Sequence, residues 1–560
     1  MVMIASRKNP YIIGRPVSEA ELFFDRENLF RFLIDNLAQQ AQVILLHGQR
    51  RIGKSSVLAQ IPQQLAEAPY HFVMLSLEGK SQKPLATVLH ELARDISEDL
   101  NLPIALPTEA TLAEQPREFA DRFLVEVQQA LPVQTDSPAL VLLLDEFDAL
   151  GNFSPDAAAT HLFPYLSEAI ARHKFLHIIP VIGRRLDDLP TLLSLFRQAP
   201  TFEIGLLNRQ DTDALITQPS EGVMFFEESA LQAIWELTAG HPYFTQVMCF
   251  ALFSQAREEE WWQITREDVA RVIDRAIELG EGGLAWFWDG LPIPERVLFA
   301  AAAEVAQSRW QEDQTLEIKE GDPLALLEDS GIVLTDCLHN AQRNLLDWKY
   351  LRSLKRVDAP ETVERGSYRI TIELVRRWLL RRHGIKQEIW ELQDIATSVK
   401  ADYDRARELR QNRSFYPAIQ AYETVLATNP NHISAIFELA ECLLATEADY
   451  RAIEVFERAA QIDQRRAADG LLRAHLGYAK RLLDRGQLPE AAQSLQRAFK
   501  IDPTAEAALR LQARLEQQQR QIPDRRRTSW GRFITDWDWK NWLGGVPRSG
   551  DAPLDSPDED

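Results

Sequence analysis

Up to about residue 208, short apolar runs alternate with stretches whose apolar residues recur at helical spacing. The runs predict strands at 42–47, 71–77, 139–145, 176–182 and 202–207. Between them the spacing predicts helices, among them Glu27 to Gln40, with Leu29, Phe30, Leu33 and Leu37 on one face, Leu85 to Leu100, and Phe119 to Leu131. Alternating strands and helices predict an α/β domain over residues 1–208, a parallel sheet with helices on both faces. Ligands of such sheets gather at the carboxyl ends of the strands.

From 209 to 283 the pattern turns helical. A helix at 227–238 should stop at Gly240, which tolerates positive φ, and Pro242 suits the first turn of the next, Tyr243 to Phe253. Residues 284–385 have a different rhythm: a helix at 294–306, helical Leu324 to Glu328, Gly331-Ile332-Val333-Leu334, a strand at Tyr368 to Ile372, and a helix from Glu373 to Arg382. Over 386–517 the periodicity becomes entirely helical from about 399. Ala418-x₃-Tyr422, Ala452-x₃-Phe456-x₂-Ala459 and Ala491-x₃-Leu495-x₂-Ala498 recur at spacings of 34 and then 39 residues. Pro430 and Pro503 close the first and third units, and Gln464 stands where the second would have proline. The five extra residues fall near Arg465 to Leu471, where a loop can absorb them. This pattern resembles tetratricopeptide repeats, whose stacked helix pairs form a concave surface for peptides or helices.

The chemistry concentrates where the first strand ends. Gly48-Gln49-Arg50-Arg51-Ile52-Gly53-Lys54-Ser55, followed by Ser56, fits the phosphate-binding P-loop pattern G-x-x-x-x-G-K-[ST]. Glycines let the loop wrap a polyphosphate closely, and the helix N-terminus directs free N–H groups at it. Lys54 would neutralise the β- and γ-phosphates and the Ser55 hydroxyl would ligand Mg²⁺. The third strand ends in Asp145-Glu146, where Asp145 suits the Mg²⁺ shell and Glu146 suits orienting and deprotonating the attacking water. Asp148 either supports that pair from behind or is merely solvated. The fourth strand delivers Arg184 and Arg185 to the same edge, either to the γ-phosphate or as a surface pair, and Arg197 precedes the fifth strand, where a ring-forming ATPase would present an arginine to its neighbour.

Composition narrows the class. At 560 residues and ~100–200 residues per domain the chain holds about three to five domains. A net charge of −21 opposes nonspecific binding of the whole molecule to nucleic acid, although local basic faces remain. Cys249, Cys337 and Cys442 lie too far apart for a zinc or disulfide framework and fit a reducing cytosol. Neither a signal-peptide core nor a run approaching ~20 apolar residues is present, so a soluble cytoplasmic protein is expected. The tail, 518–560, carries Arg525-Arg526-Arg527 before Trp530, Phe533, Trp537, Trp539 and Trp542, and ends rich in proline and acid. Its last stretch is expected to be disordered and its aromatics to dock on this protein or a partner, with a membrane surface as the second option.

Together these motifs resemble the STAND class of P-loop ATPases, signalling relatives of AAA+ proteins, across roughly residues 9–385. Asn9-Pro10-Tyr11-x-x-Gly14-x-Pro16 is similar to the opening of prokaryotic members, and Phe24-Asp25-Arg26-Glu27 to their aromatic-Gly-Arg-Glu motif near the adenine, with Asp25 in the glycine place. The resemblance implies a helical lid at 209–283, in which Pro242 of a Gly-x-Pro motif packs on adenine, and a winged helix at 284–385. The lid lacks the arginine typical of AAA+ motors. It further implies an ATP/ADP- and Mg²⁺-dependent switch that closes lid and winged helix over the nucleotide. The repeats and tail would meet a protein partner, and nucleotide-dependent self-association would be an option. The alternative is a DNA-binding regulator or replication-initiator-like AAA+ ATPase, using a winged helix basic at Arg343, Lys349, Arg352, Lys355, Arg356, Arg376, Arg377, Arg381 and Arg382. DNA ranks behind protein as a partner, and membrane behind both.

Overall fold

The computed structural model describes residues 8–80, 83–131, 139–147, 158–183, 198–310, 316–319, 321–353 and 368–521. Its contacts divide the chain into two units, 1–327 with 334–388, and 328–333 with 389–560.

The first unit begins with α1 (Glu27–Ala38), β1 (Leu45–His47), α2 (Lys54–Gln64), β2 (Tyr70–Ser76), α3 (Leu85–Asp99), α4 (Glu109–Glu114), α5 (Leu124–Ala130), β3 (Ala139–Asp145), α6 (Ala158–Arg172), β4 (Leu176–Ile182) and β5 (Thr201–Glu203). The five strands pair in parallel in the order β2-β3-β4-β1-β5. β3 is buried at every position because both faces of the sheet are covered. Its side chains divide with period two. Leu140, Leu142 and Leu144 join α3 and α6 in one core, and Val141 and Leu143 join α1 and α2 in the other. β1 and β5 are shorter than predicted, and Val43 contributes only an isolated bridge to Ile178. The helix predicted from Phe119 opens as a π-helical turn, Phe119–Phe123, before α5.

Next come α7 (Arg209–Thr217), β6 (Phe225–Phe226), α8 (Glu228–Thr238), α9 (Pro242–Glu259), β7 (Gln263–Ile264) and α10 (Arg266–Asp289). α8 ends on Ala239 at φ 51, with Gly240 at φ 75 behind it, and Pro242 opens α9 as its spacing predicts. Gly240 has no alternative, because a Cβ there would lie 2.4 Å from the Leu207 carbonyl oxygen. The remainder is α11 (Ile293–Val305), a hairpin of β8 (Gln307–Trp310) and β9 (Leu316–Lys319) absent from the sequence prediction, α12 (Pro323–Asp329), α13 (Asp336–Asp347), the antiparallel pair β10 (Leu351–Ser353) and β11 (Tyr368–Ile370), and α14 (Glu373–Arg382).

The second unit is helical: α15 (Lys400–Gln411), α16 (Phe415–Thr428), α17 (Ile433–Ala445), α18 (Asp449–Ile462), α19 (Gln464–Asp484), α20 (Leu488–Ile501) and α21 (Glu506–Arg520). Ala418, Ala452 and Ala491 are fully buried with their larger partners Tyr422, Phe456 and Leu495. The loop expected near Arg465 to Leu471 does not exist. α19 starts directly after Asp463, whose side chain accepts the Arg466 N–H, and runs 21 residues. With no proline after Asp463, the extra residues lengthen a helix. Residues 328–333 pack with this unit: Asn431 hydrogen-bonds both Val333 N–H and Val333 carbonyl, at 2.9 and 2.8 Å, and Arg458 donates to the Gly331 carbonyl. The aromatic tail lies outside the described residues.

Candidate nucleotide-binding site

The P-loop leaves β1 at His47 and enters α2 at Lys54. Gly48 is required by close approach: a Cβ would sit 2.5 Å from the Ile204 carbonyl oxygen. Gly53 is required by conformation, since it caps α2 at φ 94. Arg51 holds a left-handed φ of 60, a cost for a side chain with a Cβ. Lys54 Nζ donates to the carbonyls of Gln49, at 2.8 Å, and Gly48, at 3.3 Å, so the ammonium lies over its own loop. Ser55 sits in the first turn of α2. The Ser56 hydroxyl accepts the Val17 N–H at 2.9 Å and anchors the incoming chain.

Asp145 ends β3 at the same sheet edge. His47 is level with Ile182 on β4, and Leu144 with Pro180, so the loop and the acidic pair flank one strand's carboxyl end. Asp145 is buried and its Oδ1 accepts the Glu146 N–H at 3.0 Å, while Glu146 itself turns at φ 52. Arg184, Arg185, Arg197 and Asp148 lie outside the described residues.

The side chains of Gln49, Arg50 and Arg51 turn to the helices beyond residue 209. Gln49 Nε2 donates to the Trp348 carbonyl. Arg50 Nη1 donates to the Trp286 carbonyl at 2.8 Å, and Arg51 lies 5.5 Å from the ring centres of both Tyr243 and Trp286. Whatever these three offer a phosphate, they offer through the backbone. Ile52 is buried in the core shared by α1 and α2. Next to them Lys349 pairs with Glu203 at the end of β5, 2.7 Å away.

The opening segment is stitched to this region. Asn9 Nδ2 donates to the Phe250 carbonyl at 3.0 Å, Ile12 N–H to Gln246 Oε1 at 3.0 Å, and the buried Tyr11 hydroxyl to the Ile216 carbonyl. Asp25 and Arg26 take φ 65 and 88, which explains why a glycine is at home in the Asp25 place. Arg26 is buried and donates to the Gly205 carbonyl at 2.8 Å; burial lowers its pKa against the opposing pull of Asp25 and Asp211.

Sequence reasoning named Pro242 and passed over its neighbour. His241 is wholly buried and, among the described residues, neither ring nitrogen has a hydrogen bond of good geometry, although the Arg50 backbone lies close enough to interact with the ring. Burial holds its pKa down at about 3, with the Arg50 backbone and the Lys54 ammonium close enough to act on it. A neutral imidazole carries one donor and one acceptor, and one left without a good hydrogen bond beside a P-loop is what a site shaped for an oxyanion would leave. In the sequence it is one histidine between a glycine and a proline, with nothing to signal burial.

Residues 23–179 match the family model of the AAA ATPase domain. With the P-loop, the five-stranded parallel sheet and the acidic strand end, this identifies an AAA-like P-loop, nucleotide-binding ATPase domain. Among solved structures, the chain is similar to a Walker-type ATPase of Pyrococcus abyssi, at 18% identity and TM-score 0.47, covering 65% of this chain and 98% of that one. It is also similar to the Aeropyrum pernix ORC1 protein in complex with DNA, at 12% identity and TM-score 0.34, covering 65% and 94%. A curated relative, described as a probable UDP-N-acetylglucosamine–peptide N-acetylglucosaminyltransferase SPINDLY of Hordeum vulgare, is 32% identical over 103 residues, 18% of this chain. The chain spans about a tenth of that relative's length.

Proposed function

We propose that this chain is a STAND-like switch. Its ATPase domain couples nucleotide state to a helical lid (209–283) and a winged helix (284–385), and tetratricopeptide-like repeats bind a protein partner. The observation that carries the reading is the clasp on the P-loop: Gln49, Arg50 and Arg51 engage Trp348, Trp286 and Tyr243. A loop whose own side chains grip lid and winged helix cannot rearrange around phosphates without moving them. In this reading the backbone of 48–56 cradles the phosphates of ATP or ADP, Lys54 leaves its carbonyls to neutralise them, His241 donates to them, and Pro242 meets the adenine. Ser55 and Asp145 hold Mg²⁺, which supplies charge neutralisation at the phosphates. Glu146 takes the proton of the attacking water, and Arg184 remains a candidate for the γ-phosphate.

Lys54 and Glu146 then fail differently. Lys54→Ala loses nucleotide binding, whereas Glu146→Gln retains ATP with turnover down ~10²–10⁴-fold. Filter binding and ATPase rates on both variants check this, and equal ATP retention or parental turnover in Glu146→Gln would reject it. The second reading, an initiator-like DNA-binding ATPase, draws support from Arg352 and Arg369 on β10 and β11, which have no ion pair among the described residues. Against it, Arg376 and Arg377 pair with Glu373, Arg381 with Asp274 and Arg382 with Glu281, inside the same unit.

A further inference from the structure

Away from the P-loop, the first unit contains a cleft of about 220 Å³ between α8 and the β10–β11 pair, lined by Gln232, Trp235, Glu236, Arg352, Arg369 and Glu373 among others. Arg352 and Arg369 stand directly opposite each other in the antiparallel register, and strand alternation puts both on one face. Like charges directly opposite destabilise a ladder. Arg352 is half-buried; its burial, and then Arg369, lowers its pKa, but a guanidinium keeps its charge.

The carboxylates of the lining do not relieve the pair. Glu236 is taken by Arg266 and the Gln232 amide. Glu373 is taken by Arg376 and Arg377. Among the described residues neither the Arg352 nor the Arg369 side chain has a hydrogen bond or an ion pair. The two carboxylates of the lining are thus matched by Arg266, Arg376 and Arg377, which leaves Arg352 and Arg369 as uncompensated charge on the cleft.

We propose that this cleft binds a small phosphate-type oxyanion bridged between Arg352 and Arg369. The planar fork of arginine matches phosphate oxygens, and an anion between two forks turns their repulsion into two charge-assisted contacts. The volume lies below the ~300–1,000 Å³ usual for drug-sized ligands, so the ligand is of orthophosphate or pyrophosphate size. Bound there, it ties α8 to β10 and β11. The same chemistry is carried by a nucleic-acid backbone, and the test separates the two sources.

The probe is pyrophosphate, added to the full chain at ionic strength matched with NaCl, and read by thermal midpoint and calorimetric titration. Parent and Lys54→Ala proteins should both show a saturable rise, and the arginine variants are made in the Lys54→Ala background, where phosphate binding at the P-loop is removed. Arg352→Gln and Arg369→Gln should each weaken binding about tenfold or more. Without anion, each glutamine variant should melt no lower than Lys54→Ala alone, because a repulsion has been removed. A rise that NaCl reproduces, an affinity unchanged in both glutamine variants, or one abolished by Lys54→Ala overturns the proposal. So does a lower midpoint in both glutamine variants without anion, which would make the arginines structural. Inert pyrophosphate together with duplex DNA binding lost in both variants would assign the pair to nucleic acid instead.

Discussion

His241 shows how much one side chain's surroundings decide. Buried without a hydrogen bond of good geometry, it carries a desolvation cost that a phosphate oxygen would offset. An unfolded histidine titrates near ~6.5, whereas this one titrates at about 3, so on acidification the unfolded chain takes the proton first. Keeping it neutral costs no protonation energy above about 6.5, and stability is lost progressively as pH falls from there toward 3. His475, held at about 4 by burial and then Arg497, acts with the same sign in the second unit. His241→Phe should therefore flatten the stability profile over that window and weaken ATP binding about tenfold, one hydrogen bond to a charged group. Urea titrations at several pH values and fluorescent-nucleotide binding measure the two effects. An unchanged profile with unchanged affinity would remove His241 from the site.

At the scale of elements, the helical second unit depends on where small residues let helices meet. Gly470 lies where α19 passes the Phe456 ring of α18: a Cβ would come within 2.3 Å of that ring. Gly477, two turns further along the same face, would meet the Asp449 carboxylate at 2.5 Å, where Arg481 already pairs. Overpacking of this kind typically costs ~1–3 kcal/mol. Gly470→Val should lower the unfolding free energy of the second unit by that order while leaving ATP binding intact, seen by denaturation beside nucleotide titration. Loss of both together would show that the helical second unit is needed to fold the ATPase domain.

For the molecule as a whole, no helix among the described residues is long and apolar enough to cross a membrane. Cys249 and Cys442 are buried and Cys337 exposed, none of them bridged. The decisive feature is that the P-loop is held by residues beyond 209, more than a hundred and ninety positions along the chain. Loosening that hold by Gln49→Ala with Trp286→Ala, which leaves the Arg50 hydrogen bond to the carbonyl of residue 286 in place, should speed nucleotide exchange several-fold, because Trp286 is half exposed and its guanidinium contacts lie near the surface, and cation–π contacts there are worth ~0.5–1 kcal/mol each. Stopped-flow release of a labelled nucleotide and limited proteolysis of 209–385 would read the loosening. Parental release with a parental digestion pattern would mean that the P-loop and the helices beyond 209 move independently.

Local pattern was enough for the parallel sheet, the P-loop, the acidic end of β3, the caps around Gly240 and Pro242, and the buried alanines of the helical hairpins. Each of these rests on short-range physics: apolar runs, backbone φ, and one small residue per turn. What depended on distant chain only the tertiary structure decided. The strand β4 that separates β1 from β3 follows from pairing across the whole domain. The lengthened α19 replaced a loop because no proline stopped it. The P-loop's polar side chains face Trp286 and Trp348, more than two hundred residues away, and the burial that sets His241 apart exists only once α9 closes beside that loop. Desolvation is a property of what surrounds a group, and a sequence lists neighbours along the chain, not in space.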